Sequence, residues 1–384
     1  MAGNLKYQWG PKTFWERWDR RLSVGRQRLY VIWISGCLAC SEQSEAGPQC
    51  INAILEGDGI NFGLLGLDPE DICASSFEAS ESHVKWMSAA WGVESSPIRY
   101  ALYESHDAGC WICSDTVSAC GIDGRLGSTL IPHRHELSHA GRGPNCSSFI
   151  EEGWATLYSD ANENAESVGT LRDAMLAIQE HGRLTGMYYP LAQRVVAFLL
   201  ETRGLGTVHR MCSKPLGSEE ELEVALLDEL GLSIDQFQAE LDAYPPWSVA
   251  QLRQDQACEG ADAVVSQAAW TIELGCSAPG VEGRLGGEVS SHVLVEIAEF
   301  GQYAFDFNTS EPLQNLKVEL RGCERDGLAS IYYTTWIGST GESNHLAPIF
   351  NDLTPGVYVL RFRLKDSSSL GPDVQIALSV AQWP

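Results

Sequence analysis

Residues 135–139 read His-Glu-Leu-Ser-His, and this spacing is the tightest constraint in the chain. Side chains four apart share one face of an α-helix, so a helix is the conformation in which both imidazoles reach one point. Glu136 then lies beside that face, close enough to move a proton there. Two imidazoles with an adjacent carboxylate suit zinc, which accepts nitrogen ligands and lowers the pKa of a bound water toward about 7. A catalytic zinc also needs a third protein donor and one open position, so the fold must bring a second element against this helix.

That element is suggested by Phe149-Ile150-Glu151-Glu152-Gly153-Trp154-Ala155. The run resembles the second zinc helix of gluzincin metallopeptidases, in which a Glu directly before Gly-x-Ala ligates the metal. By position the resemblance makes Glu152 the third ligand, with Glu151 as its rival or as an acid behind the ligands. No His follows His139 at the G-x-x-H spacing of metzincins. Thr156 stands one turn after Glu152, where thermolysin-like members have an acid, and is closer to the aminopeptidase-like subset. That subset also carries a tyrosine, a small residue three later and an apolar helix. Tyr189, Ala192 and the run 195–200 match that pattern, with Tyr188 as the neighbouring alternative.

The resemblance spans roughly residues 73–244 and implies a mechanism. Zinc would be held by His135, His139 and Glu152, Glu136 would be the general base, and Tyr189 would donate to the oxyanion of a peptide or protein substrate. No counterpart of the aminopeptidase G-x-M-E-N strand is present, so an endopeptidase cleft is expected. The run 124–131 would be the edge strand before the active-site helix, open to main-chain pairing with a peptide. The alternative is a catalytically inert zincin-like adhesion or scaffold module, and the intact Glu136 favours the enzyme. His106, His181 and His209 read as surface or packing residues.

Around this centre the chain divides by texture. Residues 50–247 are expected to form the zincin-like domain, mostly helical with a small sheet. Helices are expected near 82–90, 191–201, 219–230 and 233–241, and a strand at 98–103. Beyond residue 258 short apolar or alternating runs at 293–297, 303–307, 316–320, 330–335, 357–364 and 374–380 are separated by turn residues. That is the pattern of an all-β sandwich over 258–384, so the fold class is α+β. The sandwich resembles accessory domains of secreted bacterial peptidases and would take a polymer or protein ligand, or cap the enzyme.

The N-terminal region reads as an export signal. Basic residues precede a short apolar run at 29–34, too short to span a bilayer as a helix. Ile34-Ser35-Gly36-Cys37 resembles the bacterial lipobox, which implies cleavage before a diacylated Cys37, a signal over 1–36 and a linker over 37–49. The other reading of the apolar run is a short buried strand. The resemblance implies a lipid-anchored, extracytoplasmic envelope protein, with the outer membrane preferred because Leu38 rather than Asp follows Cys37. The chain holds twelve cysteines, which fit an oxidising compartment, and a net charge of −25 argues against a nucleic-acid surface. Disulfides are expected to join Cys110 or Cys113 to Cys73, Cys120 or Cys146, with one pair among Cys258, Cys276 and Cys323.

Overall fold

The computed structural model describes residues 31–33, 51–94, 97–105, 119–122, 124–141, 146–159, 169–245, 264–266, 269–284, 287–309, 316–323, 333–337, 345–364 and 375–382. Over these residues the chain is α+β, with eight α-helices and three sheets. Every helix precedes Tyr244, and two of the three sheets follow it.

The first sheet contains β1 (Val31–Trp33), β2 (Ile51–Glu56), β3 (Ile60–Leu65), β4 (Ile98–Tyr103), β5 (Ala119–Ile122) and β6 (Arg125–Ser128), in the order β1-β2-β3-β4-β6-β5. Strands β3, β4 and β6 are parallel neighbours. Parallel neighbours need a crossover, which α1 (Ser75–Trp91) supplies between β3 and β4. Ile60, Phe62, Leu64, Tyr100, Leu102 and Leu126 are buried against Val84 of α1 and Leu137. The strands β2 and β3 lie in a stretch that reads as mostly helical in the sequence, because six-residue apolar runs have no room to reveal their period.

One expectation needs correction here. The run 124–131 is not the edge of the sheet. Its strand β6 is interior, and β5 folds back antiparallel to it as the outer strand. Gly124, at φ +72°, makes that reversal at low steric cost. Val31–Trp33, inside the apolar run read as a signal, pairs antiparallel with Ala53–Leu55 of β2. Cys37 itself lies outside the described residues, as does the linker.

The helical layer comprises α2 (Arg134–Ala140), α3 (Ser148–Leu157), α4 (Leu171–His181), α5 (Tyr189–Arg203), α6 (Leu205–Cys212), α7 (Glu219–Leu230) and α8 (Ile234–Ala243). From α3 to α8 it shares one core that includes Phe149, Trp154, Leu171, Val196, Phe198 and Phe237. Local signals set its helix starts. Ser233 and Gln236 cap each other across the first turn of α8, as Thr170 and Asp173 do at α4.

The second half is a two-sheet stack. One sheet has the order β13-β12-β15-β10-β7, from β7 (Val264–Ser266), β10 (Val289–Ile297), β12 (Leu316–Gly322), β13 (Tyr333–Ile337) and β15 (Gly356–Leu364), with β9 (Glu282–Gly283) beside β10. The other has the order β14-β11-β16-β8, from β8 (Ala269–Glu273), β11 (Gly301–Thr309), β14 (His345–Leu353) and β16 (Gln375–Gln382). Alternate residues Tyr358, Leu360, Phe362 and Leu364 point into the core with Tyr303, Phe305 and Phe307 of the facing sheet. Phe307 and Phe362 meet edge to face at 5.8 Å, so the sheets share one interior.

Two disulfides depart from the expected pairing. Cys73 bonds to Cys276, tying the start of α1 to the sandwich, and Cys146 bonds to Cys212, tying the approach to α3 to the end of α6. Spacing alone cannot reveal such pairs, because each joins segments that meet only in the folded chain. Disulfides fit an extracytoplasmic protein. Among the described residues no helix is long and apolar enough to cross a membrane. The Cys73–Cys276 link spans 203 residues of sequence, so it removes much chain entropy from the unfolded state. Cys276→Ser is expected to cost about 2–5 kcal/mol, read as a thermal midpoint below that of oxidised wild type.

Candidate metal centre

The helix α2 is only seven residues long, so its orientation comes from its neighbours. His133 caps its start, Nδ1 accepting from the Glu136 amide at 3.3 Å. Just upstream, the buried Tyr100 hydroxyl donates to the Leu130 carbonyl and fixes the chain entering the helix. On the side facing α1, Ser138 Oγ lies 2.9 Å from His83 Nε2 and donates to the Arg134 carbonyl at 2.8 Å. Ser88 Oγ donates to the Gly141 carbonyl at 3.0 Å, closing the far end. Leu137 turns into the sheet core, which leaves His135 and His139 facing α3.

Helix α3 brings two consecutive carboxylates to that face. Glu152 Oε2 lies 3.1 Å from His135 Nε2 and 3.4 Å from His139 Nε2, and the two Nε2 atoms are 3.2 Å apart. Glu151 Oε1 takes the other side of the same ring, 2.9 Å from His139 Nδ1. The choice between the two acids is thereby resolved in geometry: Glu152 joins the imidazole pair, and Glu151 holds His139 in its tautomer and orientation. The position of each carboxylate depends on Gly153. A Cβ there would lie 2.4 Å from the Ala192 carbonyl oxygen, a backbone atom of α5. Only glycine lets α3 approach this closely.

The His135, His139 and Glu152 donors form a group that could hold a metal ion. Their mutual separations fit zinc: ligands about 2.0–2.1 Å from a tetrahedral ion are about 3.3–3.4 Å from one another. Two imidazole nitrogens and a carboxylate oxygen all present lone pairs to one point, and a shared proton or a cation is what reconciles them. Electrostatics within the metal-free chain say the same. Burial works against a charged His139, but Glu152 and the hydrogen bond that His139 donates to Glu151 outweigh it and lift its pKa to about 10. Burial would raise Glu152, yet His139 and His135 hold it well below the usual carboxylate range.

Glu136 lies beside the group, and burial pushes its carboxyl up against the opposing pull of His139 and His135. The outer strand β5 runs directly over it: a Cβ at Gly121 would be 3.0 Å from both Glu136 O and Glu136 Oε2. Tyr189, at the start of α5, stacks its ring on His135 with centroids 5.7 Å apart and planes 11° from parallel. Its hydroxyl is pushed up by burial and then by Glu152 and Glu136. Tyr188 packs against the helical core and the Gly169 turn instead.

Of the remaining candidates, His209 packs its ring on Trp91 and His181 ends α4 in solvent, while His106 lies outside the described residues. Gly121 was not legible as a site residue, because nothing in a Cys/Gly-rich stretch says which glycine meets α2.

No protein-family model matches the chain, and no curated protein matches it. Solved structures resemble part of it. The pre-peptidase C-terminal domain of collagenase from Bacillus anthracis is 13% identical, covering 31% of this chain and 92% of that one at a TM-score of 0.22. A carbohydrate-binding module of Cellvibrio mixtus lichenase 5A is 10% identical, covering 30% and 98% at 0.20. A module from Clostridium stercorarium in complex with cellobiose is 10% identical, covering 32% and 100% at 0.19.

Two outcomes follow from this geometry. Gly153→Ala should cost about 1–3 kcal/mol of stability, since the added carbon meets backbone rather than a yielding side chain, and should weaken metal binding alongside; denaturant melts and metal titration read the two. The second concerns pH. In the metal-free chain the folded pKa of His139 lies above its unfolded value of 6.5. Its contribution to stability is therefore complete below pH 6.5 and is lost as pH rises through about 10. At pH 7.5 zinc uptake should release about one proton per ion, measurable by calorimetry in buffers of differing ionisation enthalpy.

Proposed function

We propose that this chain is a zinc-dependent hydrolase of peptide bonds, an endopeptidase of the gluzincin type, working outside the cytoplasm. The observation that carries the reading is the convergence of His135 Nε2, His139 Nε2 and Glu152 Oε2 within 3.1–3.4 Å of one another, with Glu136 and Tyr189 beside the same point. An inert metal site would need the three donors alone.

Zinc held by His135, His139 and Glu152 would supply Lewis-acid polarisation of a scissile carbonyl and would lower the pKa of the attacking water. The chain's own groups do the rest. Glu136 removes a proton from the attacking water and returns it to the leaving amine; its burial, which favours the protonated form, suits the second half of that cycle. Tyr189, kept protonated by burial and the neighbouring acids, donates to the oxyanion. Glu151 keeps His139 presented through Nε2. The outer strand β5, antiparallel to β6 and passing over Glu136, is the edge along which an extended peptide would pair.

Envelope attachment through a lipid on Cys37 belongs to the same proposal. Cleavage there would release β1 and leave β2 as the far edge of the sheet, so intact-mass measurement of the exported protein distinguishes an anchored chain from one that keeps Val31–Trp33.

The enzyme reading is tested with a peptide library, zinc analysis and two variants. The expected result is about one zinc per chain and hydrolysis that falls about 10²–10⁴-fold in Glu136→Gln with zinc retained. Tyr189→Phe should lower kcat about 10²–10³-fold with little change in zinc content. A folded wild type that takes up no zinc sinks the proposal and leaves the zincin-like scaffold reading in its place; a Glu136→Gln variant as active as wild type overturns the general-base mechanism.

A further inference from the structure

The helix that carries both histidines is bonded to the β-sandwich. Arg134 directly precedes His135, and its Nη2 donates to Glu282 Oε2 of β9 at 2.6 Å. The pair is largely removed from water, with side chains 15% and 8% exposed. Next to it, Arg284 Nε donates to the Thr129 carbonyl, between β6 and α2, and Nη2 donates to the Glu104 carbonyl after β4, both at 3.0 Å. At the start of α1, Ser76 Oγ donates to the Gly283 carbonyl at 2.9 Å and accepts from the Gly283 amide at 2.7 Å. The Cys73–Cys276 disulfide closes the same junction. One short segment of the sandwich therefore grips the start of α1, the approach to α2 and its first turn.

Glu282 is itself held from behind. It pairs with Ser290 of β10, and Gly283 adopts φ +118°, where a Cβ would be 2.0 Å from the Glu288 carbonyl oxygen. The carboxylate is thus presented from a rigid strand end.

We propose that Glu282 is a positioning residue for the metal centre, acting through Arg134 to fix the rotation of α2 about its axis. This rests on the reading of His135, His139 and Glu152 as zinc ligands. The lever arm explains why rotation matters. An imidazole nitrogen about 7 Å from the axis moves nearly 2 Å for a turn of about 15°, whereas metal–ligand distances tolerate about 0.2 Å. Ser138 and Gly141 are held by α1 in the middle and at the end of α2; the Arg134–Glu282 pair adds a charge-assisted bond at its first residue. The sandwich is then a structural part of the metal centre, not a detachable accessory.

The test uses the full chain, with zinc affinity measured by chelator competition and the cobalt-substituted protein read by its visible spectrum. Glu282→Gln should bind zinc about tenfold more weakly and alter the cobalt bands, while the paired swap Arg134→Glu with Glu282→Arg should recover affinity to within about threefold. Wild-type affinity and an unchanged cobalt spectrum in Glu282→Gln overturn the proposal. Glu282→Asp, which keeps the charge and shortens the reach, takes its place where Glu282→Gln does not fold. If wild type binds no zinc, the metal reading falls and hydrogen exchange of the metal-free chain decides: faster exchange of α2 amides in Glu282→Gln supports positioning, and unchanged exchange overturns it.

Discussion

The contact between Gly153 of α3 and the Ala192 backbone of α5 is the constraint from which the rest of the centre follows. A side chain at Gly153 would push the helices apart, and the glycine lets them close until backbone meets backbone. Glu152, one residue before Gly153, is then set against His135 and His139. Tyr189, three residues before Ala192, is set with its ring on His135. One small-residue contact thus fixes a carboxylate and a phenol relative to the same imidazole. The buried Trp154, Val196 and Phe198 surrounding it carry the apolar burial that holds the contact closed.

Around this keystone the charges are arranged as a chain of dependence. Glu151 holds His139 through Nδ1, which leaves Nε2 to face His135 and Glu152. Arg134 ties the other end of the short helix to Glu282 of the sandwich. The helix carrying the motif is too short to hold itself, since isolated helices well under about 12 residues are marginal in water. Its shape is supplied by α1 on one side, the sheet beneath, and the sandwich at its first turn. Two halves of the chain that read as separate in the sequence therefore meet at the motif.

How much of this was legible depends on how local the cause is. The strand at Ile98–Tyr103 and the helix at Glu219–Leu230 coincide with their sequence readings, because continuous apolar runs and helical periods are written within a dozen residues. The helix at α1 extends well upstream of the expected 82–90, to Ser75, because Ser76 and Ser80 are polar residues buried by the sandwich junction and by their own helix rather than by pattern. In the second half, β14 was not legible: its register against β11 shifts between Phe305 and Phe307, and that irregularity breaks the alternation that marks a strand. The strand β8 is short and was likewise missed.

The sequence by itself determined the two motif helices, the donor types they offer, the helical texture of the first part and the stranded texture of the second. These are set by spacing, capping and hydrophobic period, all of them short-range. Only the tertiary structure decided which of two adjacent carboxylates joins the imidazoles, which strand forms the outer edge over Glu136, and which cysteines meet. The physical reason is the same in each case. Glu151 and Glu152 differ by one step around a helix, β5 and β6 by one place in a sheet, and the cysteines by segments up to 203 residues apart. Such choices are made by long-range packing: by Gly153 against Ala192, by the chain reversal at Gly124, and by the docking of the sandwich on α1 and α2.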